Sequence, residues 1–198
     1  MYHISEFANV DTSASIGEDS QVWDFTQIRE RVVIGNSCVV GRNVYIGPGV
    51  SIGNNCKIQN NSLIYNPALI QNGVFIGPGV ILTNDRHPRS VNPDGSIKTQ
   101  NDWKMVGIEI HEGASIGAGS ICVAPAKIGK WCLIGAGSLV TKDVPNFALV
   151  VGNPATQIGW VSKSGKRLVE KGEFFICIEN NEVFKLENNT LVEVINNE

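Results

Sequence analysis

Apolar positions recur along this chain with a period of six. Counting from Ile4, every sixth residue is aliphatic: Val10, Ile16, Val22, Ile28, Ile34, Val40, Ile46, Ile52, Ile58, Ile64, Ile70, Ile76 and Leu82. A helix would return its apolar face every 3.6 residues and a half-buried strand every two, so neither accounts for the pattern. Six residues per aliphatic fit a chain wound into a three-sided coil, in which each strand sends one aliphatic side chain inward.

The remaining slots agree. Four residues after each aliphatic stands a small or β-branched residue, among them Ala14, Thr26, Val44, Val50, Ser62, Val74 and Val80. These are the expected second inward positions. Gly is frequent one residue after the aliphatic (Gly17, Gly35, Gly41, Gly47, Gly53, Gly77), and Asp19, Asn43, Gly49, Asn55, Asn61, Gly73 and Gly79 stand three after it. Both slots are read as corners, where Gly, Asn and Asp tolerate left-handed backbone angles.

The beat resumes at Ile110, Ile116, Cys122, Ile128, Ile134 and Val140. The step from Leu82 to Ile110 is not a multiple of six, so residues 83–109 are expected to contain an extruded loop. Twenty hexapeptides give almost seven coils, a stack about 30 Å long at the spacing of neighbouring strands. The fold expected is all-β, a parallel β-helix over residues 1–145 followed by a small β extension over 146–198. In that extension "FFICIENNEVFKLENNTLVEVI" reads as two or three antiparallel strands, with turns at Asn180-Asn181 and Asn188-Asn189. It is read as a cap on the exposed end of the stack, with an oligomer contact as the rival reading.

Composition narrows the function. The net charge of −3 lacks the basic footprint of a nucleic-acid or anionic-membrane surface. No apolar run is long enough to span a membrane, and "MYHISEFANV" does not read as a signal peptide, so the expected location is cytoplasmic. Of the five cysteines, Cys38, Cys56 and Cys132 take small inward slots and Cys122 an aliphatic one, while Cys177 stands alone in the tail. No metal site is expected from them. His3, His87 and His111 are too scattered for the three-histidine zinc site of a γ-type carbonic anhydrase.

Several motifs add a family. "IGAGS" at 116–120, "IGAGSLVTKDVPNFALVVGNPA" at 134–155 and the internal loop resemble the left-handed parallel β-helix acyltransferases. Within that group "KIQNN" (57–61), "TNDRHPRS" (83–90) and "GNPATQIGWVS" (152–162) look like the bacterial nucleotide-sugar N-acetyltransferases. The resemblance implies acetyl-CoA-dependent acetylation of the 3-amino group of a dTDP- or UDP-linked sugar destined for surface polysaccharide. It also implies a homotrimer with both substrates in clefts between neighbouring prisms.

Residues 18 apart share a face, so Asn84 stacks over Asn66, Pro48 and Glu30, and Thr83 over Tyr65, Gly47 and Arg29. The candidate substrate column is therefore Arg29, Glu30, Tyr65, Asn66 and Asn84. Arg31, Asn60 and Asp85 are added as contacts to the sugar, and Arg86 and Arg89 as contacts to diphosphate or a sugar carboxylate through their planar forks. By resemblance Asn84 holds the reacting amine, whereas His87 is the general-base candidate on its side chain chemistry. Positioning by Asn84 without an essential base is the preferred mechanism, with base catalysis by His87 the alternative. Gly117-Ala118-Gly119 and Gly135-Ala136-Gly137 stack at the same spacing and are expected to form a shallow groove for CoA, with an oxyanion donor near Gly117. Pro154 and the cations Lys142, Lys163 and Lys166 are further candidates for that ligand. Family members often carry a basic residue where Thr156-Gln157 stand. An O-acetyltransferase of sugar hydroxyls and a non-catalytic scaffold are the competing classes.

Overall fold

The computed structural model describes residues 2–187 and 190–194. The aliphatic beat becomes a three-faced parallel β-solenoid of two- to four-residue strands. Face A stacks eight parallel strands, from His3–Ile4 through Gln21–Val22, Val39–Val40, Lys57–Ile58, Phe75–Ile76, Ser115–Ile116 and Leu133–Ile134 to Ala148–Val151. Face B runs from Asn9–Val10 to Leu139–Val140 and face C from Ser15–Ile16 to Ala126–Ile128. Partners on successive coils are 18 residues apart, as in Lys57↔Phe75, but across the loop Phe75 pairs with Ser115. The insertion therefore adds 22 residues to one coil and leaves the register of all three faces intact.

The core is the period-six column itself. Ile28, Ile46, Ile58, Ile64, Ile76, Ile116 and Ile134 are at most 1% exposed, and each such burial contributes about 1.5–3 kcal/mol. The second inward slot is equally dry, and its polar members are satisfied. Thr26 Oγ1 donates to the Gly41 carbonyl at 2.6 Å, Ser62 Oγ to Gly77 at 3.0 Å and Ser120 Oγ to Gly135 at 3.0 Å. Cys122 and Cys132 share this core, where burial pushes both thiols up to about 12. Cys177 is not isolated: it is fully buried in a second core with Phe147, Leu168, Phe184 and Leu191.

Two expectations about corners need correction. Only the slot three after the aliphatic is left-handed, and it admits Phe25, Arg31, Ser37 and Trp131 as well as Asn and Gly. The glycines one residue after the aliphatic serve close approach instead. A Cβ on Gly35 would stand 2.4 Å from Asn54 Oδ1 and 2.7 Å from the Gly53 carbonyl carbon. That asparagine oxygen is needed, since it accepts the Asn36 N–H at 2.8 Å, and Asn72 does the same for Asn54 at 2.7 Å. Gly35→Ala should therefore overpack the corner and cost about 1–3 kcal/mol. Gly79→Asn, at φ +68° with open space around it, should cost less than about 1 kcal/mol. Thermal melts of the two variants check the contrast; equal losses would refute the close-approach account.

The solenoid also continues past residue 145. Leu149 pairs in parallel with Leu133, and Thr156–Trp160 folds back antiparallel on Ala148–Val151. The last coil is shorter, with Leu133 and Leu149 only 16 apart. Among the described residues the tail forms a four-stranded antiparallel sheet: Phe174–Ile176, Val183–Glu187 and Thr190–Glu193 are the three strands expected of the quoted stretch, and Val169–Lys171, just before it, is the fourth. Its apolar face packs on Trp131, Phe147 and Trp160, of which Trp160 also touches the solenoid core. Asn181 makes the expected turn at φ 58°, whereas Asn188-Asn189 lies outside the described residues.

Candidate active site

Three edges join the faces, and the loop leaves the edge between B and C. Its departure is rigid. The Thr83 N–H donates to the Cys122 carbonyl at 3.0 Å, and Thr83 Oγ1 accepts the Ala124 N–H at 2.9 Å. Its return is tied to the same place, because the Val106 N–H donates to the Asn84 carbonyl at 3.2 Å and Asn66 Nδ2 approaches Met105 Sδ at 2.9 Å. The chain between folds back along the edge and roofs it. The result is a cavity of about 720 Å³ lined by Arg29, Glu30, Arg31, Tyr45, Pro48, Asn66 and Asn84 from the prism, and by Gln100, Asn101, Trp103 and Met105 from the loop.

The structure thus gathers Arg29, Glu30, Arg31, Asn66 and Asn84 around one space. Arg29 and Glu30 form a bidentate pair, Nε to Oε2 at 3.1 Å and Nη2 to Oε1 at 2.8 Å. That pairing raises the Arg29 pKa and lowers the Glu30 pKa, so both stay ionised. Tyr65 does not line the cavity; its ring packs 5.4 Å from that of Tyr45, which does. Asp85 lines a second cavity, which shares Gln100 and Trp103 with the first, and accepts the His87 N–H at 2.8 Å. Arg86 and His87 are exposed and line neither cavity. Asn60 lies on the edge between A and B, where its Oδ1 holds the Arg42 N–H at 2.8 Å. There it borders a hollow with Phe25, Arg42 and Asn61.

The two Gly-Ala-Gly corners stack on that same A–B edge, the Gly137 N–H donating to the Ala118 carbonyl at 2.8 Å. Gly117 is fixed by packing, since a Cβ there would stand 2.4 Å from the Ala136 nitrogen. Its N–H is spent on the Ile134 carbonyl at 2.8 Å, so a donor near Gly117 would have to be an adjacent amide. The free donors are its neighbours. Where other corners use an asparagine to cap the amide one coil before, position 136 is alanine. Among the described residues, the Ala118 and Ala136 N–H groups have no hydrogen-bond acceptor, and both residues are exposed.

Family models for the bacterial transferase hexapeptide (six repeats) match residues 13–48, 31–66 and 49–84, and one for the hexapeptide repeat of succinyl-transferase matches 106–142. Together they cover more than half of the chain and break at the loop. The chain belongs to the hexapeptide-repeat transferases.

Among relatives of this hexapeptide transferase, a dTDP-3-amino-3,6-dideoxy-alpha-D-galactopyranose 3-N-acetyltransferase of Aneurinibacillus thermoaerophilus is 48% identical over 59 residues, 30% of this chain and 31% of that one. The bifunctional protein GlmU of Thermotoga maritima is 49% identical over 59 residues, 29% of this chain and 13% of its own. The matched segments thus span under a third of either relative. Among solved structures, AntD, an N-acyltransferase from Bacillus cereus in complex with dTDP and coenzyme A, superposes with a TM-score of 0.55 at 20% identity, covering 82% of this chain and 83% of the other.

The remaining candidates of the hexapeptide transferase lie near the end of the stack. Lys142 is exposed and borders a hollow with Pro145, Ala155 and Gln157. Pro154 is exposed in the adjoining turn. Lys163 and Lys166 are engaged in ion pairs with Glu193 and Glu179. The histidines stay apart, His3 packing beside Trp23 at 5.7 Å, and among the described residues no group of three or more His, Cys, Asp or Glu side chains gathers. Tyr45, Gln100, Asn101, Trp103 and Met105 were not predicted. Trp103 carried a usable signal, an aromatic ring inside a polar insertion.

Proposed function

We propose that the protein is an acetyl-CoA-dependent N-acetyltransferase acting on the 3-amino group of a dTDP- or UDP-linked amino sugar, in the making of a surface polysaccharide. The observation that carries this reading is the roofed cavity, in which the carboxamides of Asn66, Asn84, Gln100 and Asn101 meet the Arg29–Glu30 pair, Arg31 and the rings of Tyr45 and Trp103. It offers hydrogen-bonding groups for sugar hydroxyls and an amine, and flat apolar walls for the ring. The 48% identical segment of the sugar N-acetyltransferase supports the same class of acceptor.

The unbonded Ala118 and Ala136 amides support a pantetheine track along the A–B edge. That edge and the cavity edge are separated by the width of face B, on the order of 15–20 Å for a six-residue repeat. One copy therefore cannot bring thioester and amine together. Face B itself supplies the remedy, since its outward row Tyr45, Leu63, Ile81, Ile121 and Leu139 is apolar and half-buried. We infer a homotrimer packed on this row, in which the A–B edge of one copy meets the B–C edge of the next.

In such a site the Asn84 carboxamide oxygen accepts a hydrogen bond from the neutral sugar amine and aims the amine's lone pair at the thioester carbon. A free amide of the neighbouring copy's Ala118 or Ala136 stabilises the oxyanion. The carbon–nitrogen bond forms, the carbon–sulfur bond breaks, and the amine proton passes to the departing CoA sulfur. Most of the acceleration comes from orientation. We place this work in the cytoplasm, where acetyl-CoA is available. Thiol release from acetyl-CoA, measured across dTDP- and UDP-linked 3-amino and 4-amino sugars, should show turnover with a 3-amino sugar. Turnover of hydroxyl acceptors alone, or of none, would overturn the reading.

A further inference from the structure

The loop borders a second, open hollow that the proposed reaction leaves unused. About 400 Å³ in volume, it is lined by Asp85, Arg89, Lys98, Thr99, Gln100 and Trp103. Gln100 and Trp103 also line the sugar-sized cavity, so the two spaces share a wall. The segment between the cations is a small hairpin. Val91 bridges Ile97, and the Lys98 N–H donates to the Ser90 carbonyl at 3.0 Å, which sets Arg89 and Lys98 at neighbouring rungs.

Both cavities carry cations. In the larger one Arg29 is paired by its bidentate bond to Glu30, while Arg31, which also lines it, has no carboxylate within ion-pair distance among the described residues. Among the described residues, neither Arg89 nor Lys98 lies within ion-pair distance of a carboxylate. The loop's acids are held by their own turns. Asp94 accepts the Ser96 N–H and hydroxyl at 2.9 and 2.7 Å, and Asp102 accepts both groups of Thr99 at 2.7 Å. Asp85, which faces this cavity, accepts the His87 N–H.

We propose that this hairpin cavity is the diphosphate subsite for the nucleotide half of the acceptor, with Arg89 and Lys98 binding the phosphates and Trp103 standing between them and the sugar. The assignment rests on the nucleotide-sugar reading above. Arg89 and Lys98 outnumber the Asp85 carboxylate that lines the same space, which suits a diphosphate, whereas the larger cavity offers four carboxamides, the Arg29–Glu30 pair and Arg31 to a sugar. The ADP portion of a CoA held on the neighbouring copy's A–B edge offers the same chemistry; the shared wall with the acceptor cavity favours the nucleotide sugar, and separate nucleotide and CoA probes distinguish the two.

Calorimetry with dTDP, UDP and CoA as separate probes tests the proposal on the full chain. The wild-type protein should bind dTDP or UDP, and R89A/K98A should weaken that binding at least about tenfold with CoA affinity unchanged, as expected for charge-assisted bonds. R89K/K98R, which keeps both charges, should recover most of it; a loss caused by a damaged loop would not recover. Equal nucleotide binding by R89A/K98A and wild type, a loss confined to CoA, or no binding of either nucleotide by the wild type would overturn the assignment. Nucleotide binding that needs Arg89 and Lys98, together with no acetylation of any nucleotide-linked amino sugar, would uphold the subsite and sink the proposed reaction instead.

Discussion

Asn84→Ala is expected to lower kcat for acetyl transfer about a hundredfold or more, while His87→Ala lowers it less than about tenfold. The difference follows from how the two residues are held. Asn84 stands on the rigid root of the loop, its carbonyl bonded to the Val106 N–H and its neighbour Thr83 bonded twice to the next coil. Its side chain borders the roofed cavity. A displacement of about 1 Å in a reaction that depends on orientation is enough for a hundredfold loss. His87 is exposed and anchored only through its backbone to Asp85. Steady-state kinetics on both variants checks the order. A larger loss in His87→Ala would replace positioning with base catalysis.

Ile121→Asp should separate the copies and abolish activity without unfolding the chain. Ile121 points outward in the middle of the face B row, whereas Cys122 beside it is fully buried. A carboxylate on that row must be taken out of water when the faces pack, at a cost of several kcal/mol. The alternation of the strand leaves the core untouched. Light scattering on the eluting protein should show the wild type at three times 21.4 kDa and the variant at that mass. Circular dichroism of the two should match, and acetyl transfer should fall more than about a hundredfold. A monomeric wild type with full activity would remove both face B and the shared site from the account.

The solenoid was legible because its determinants are local and repeated. An inward aliphatic every six residues and a small residue four later state the same instruction in every coil, so single exceptions do not obscure it. Neighbours 18 apart followed directly, and with them the column Glu30, Pro48, Asn66 and Asn84. Even the loop was visible, as a break in register. What could not be read was the reason for a residue at a slot. Gly35 looked like a turn glycine, but its lack of a Cβ serves an asparagine one coil away.

The sequence by itself determined the period, the three faces, the place of the insertion and the column of side chains beneath it, because a solenoid maps chain distance onto space by simple arithmetic. The tertiary structure alone decided where the non-repeating segments go. It folded Gln100, Asn101, Trp103 and Met105 back over the column, put His87 outside the cavity and buried Cys177 under a sheet of four strands. It also showed that the Gly117 amide is spent and those of Ala118 and Ala136 are not. Loop paths and amide partners depend on contacts between residues with no fixed spacing, and no periodicity encodes them.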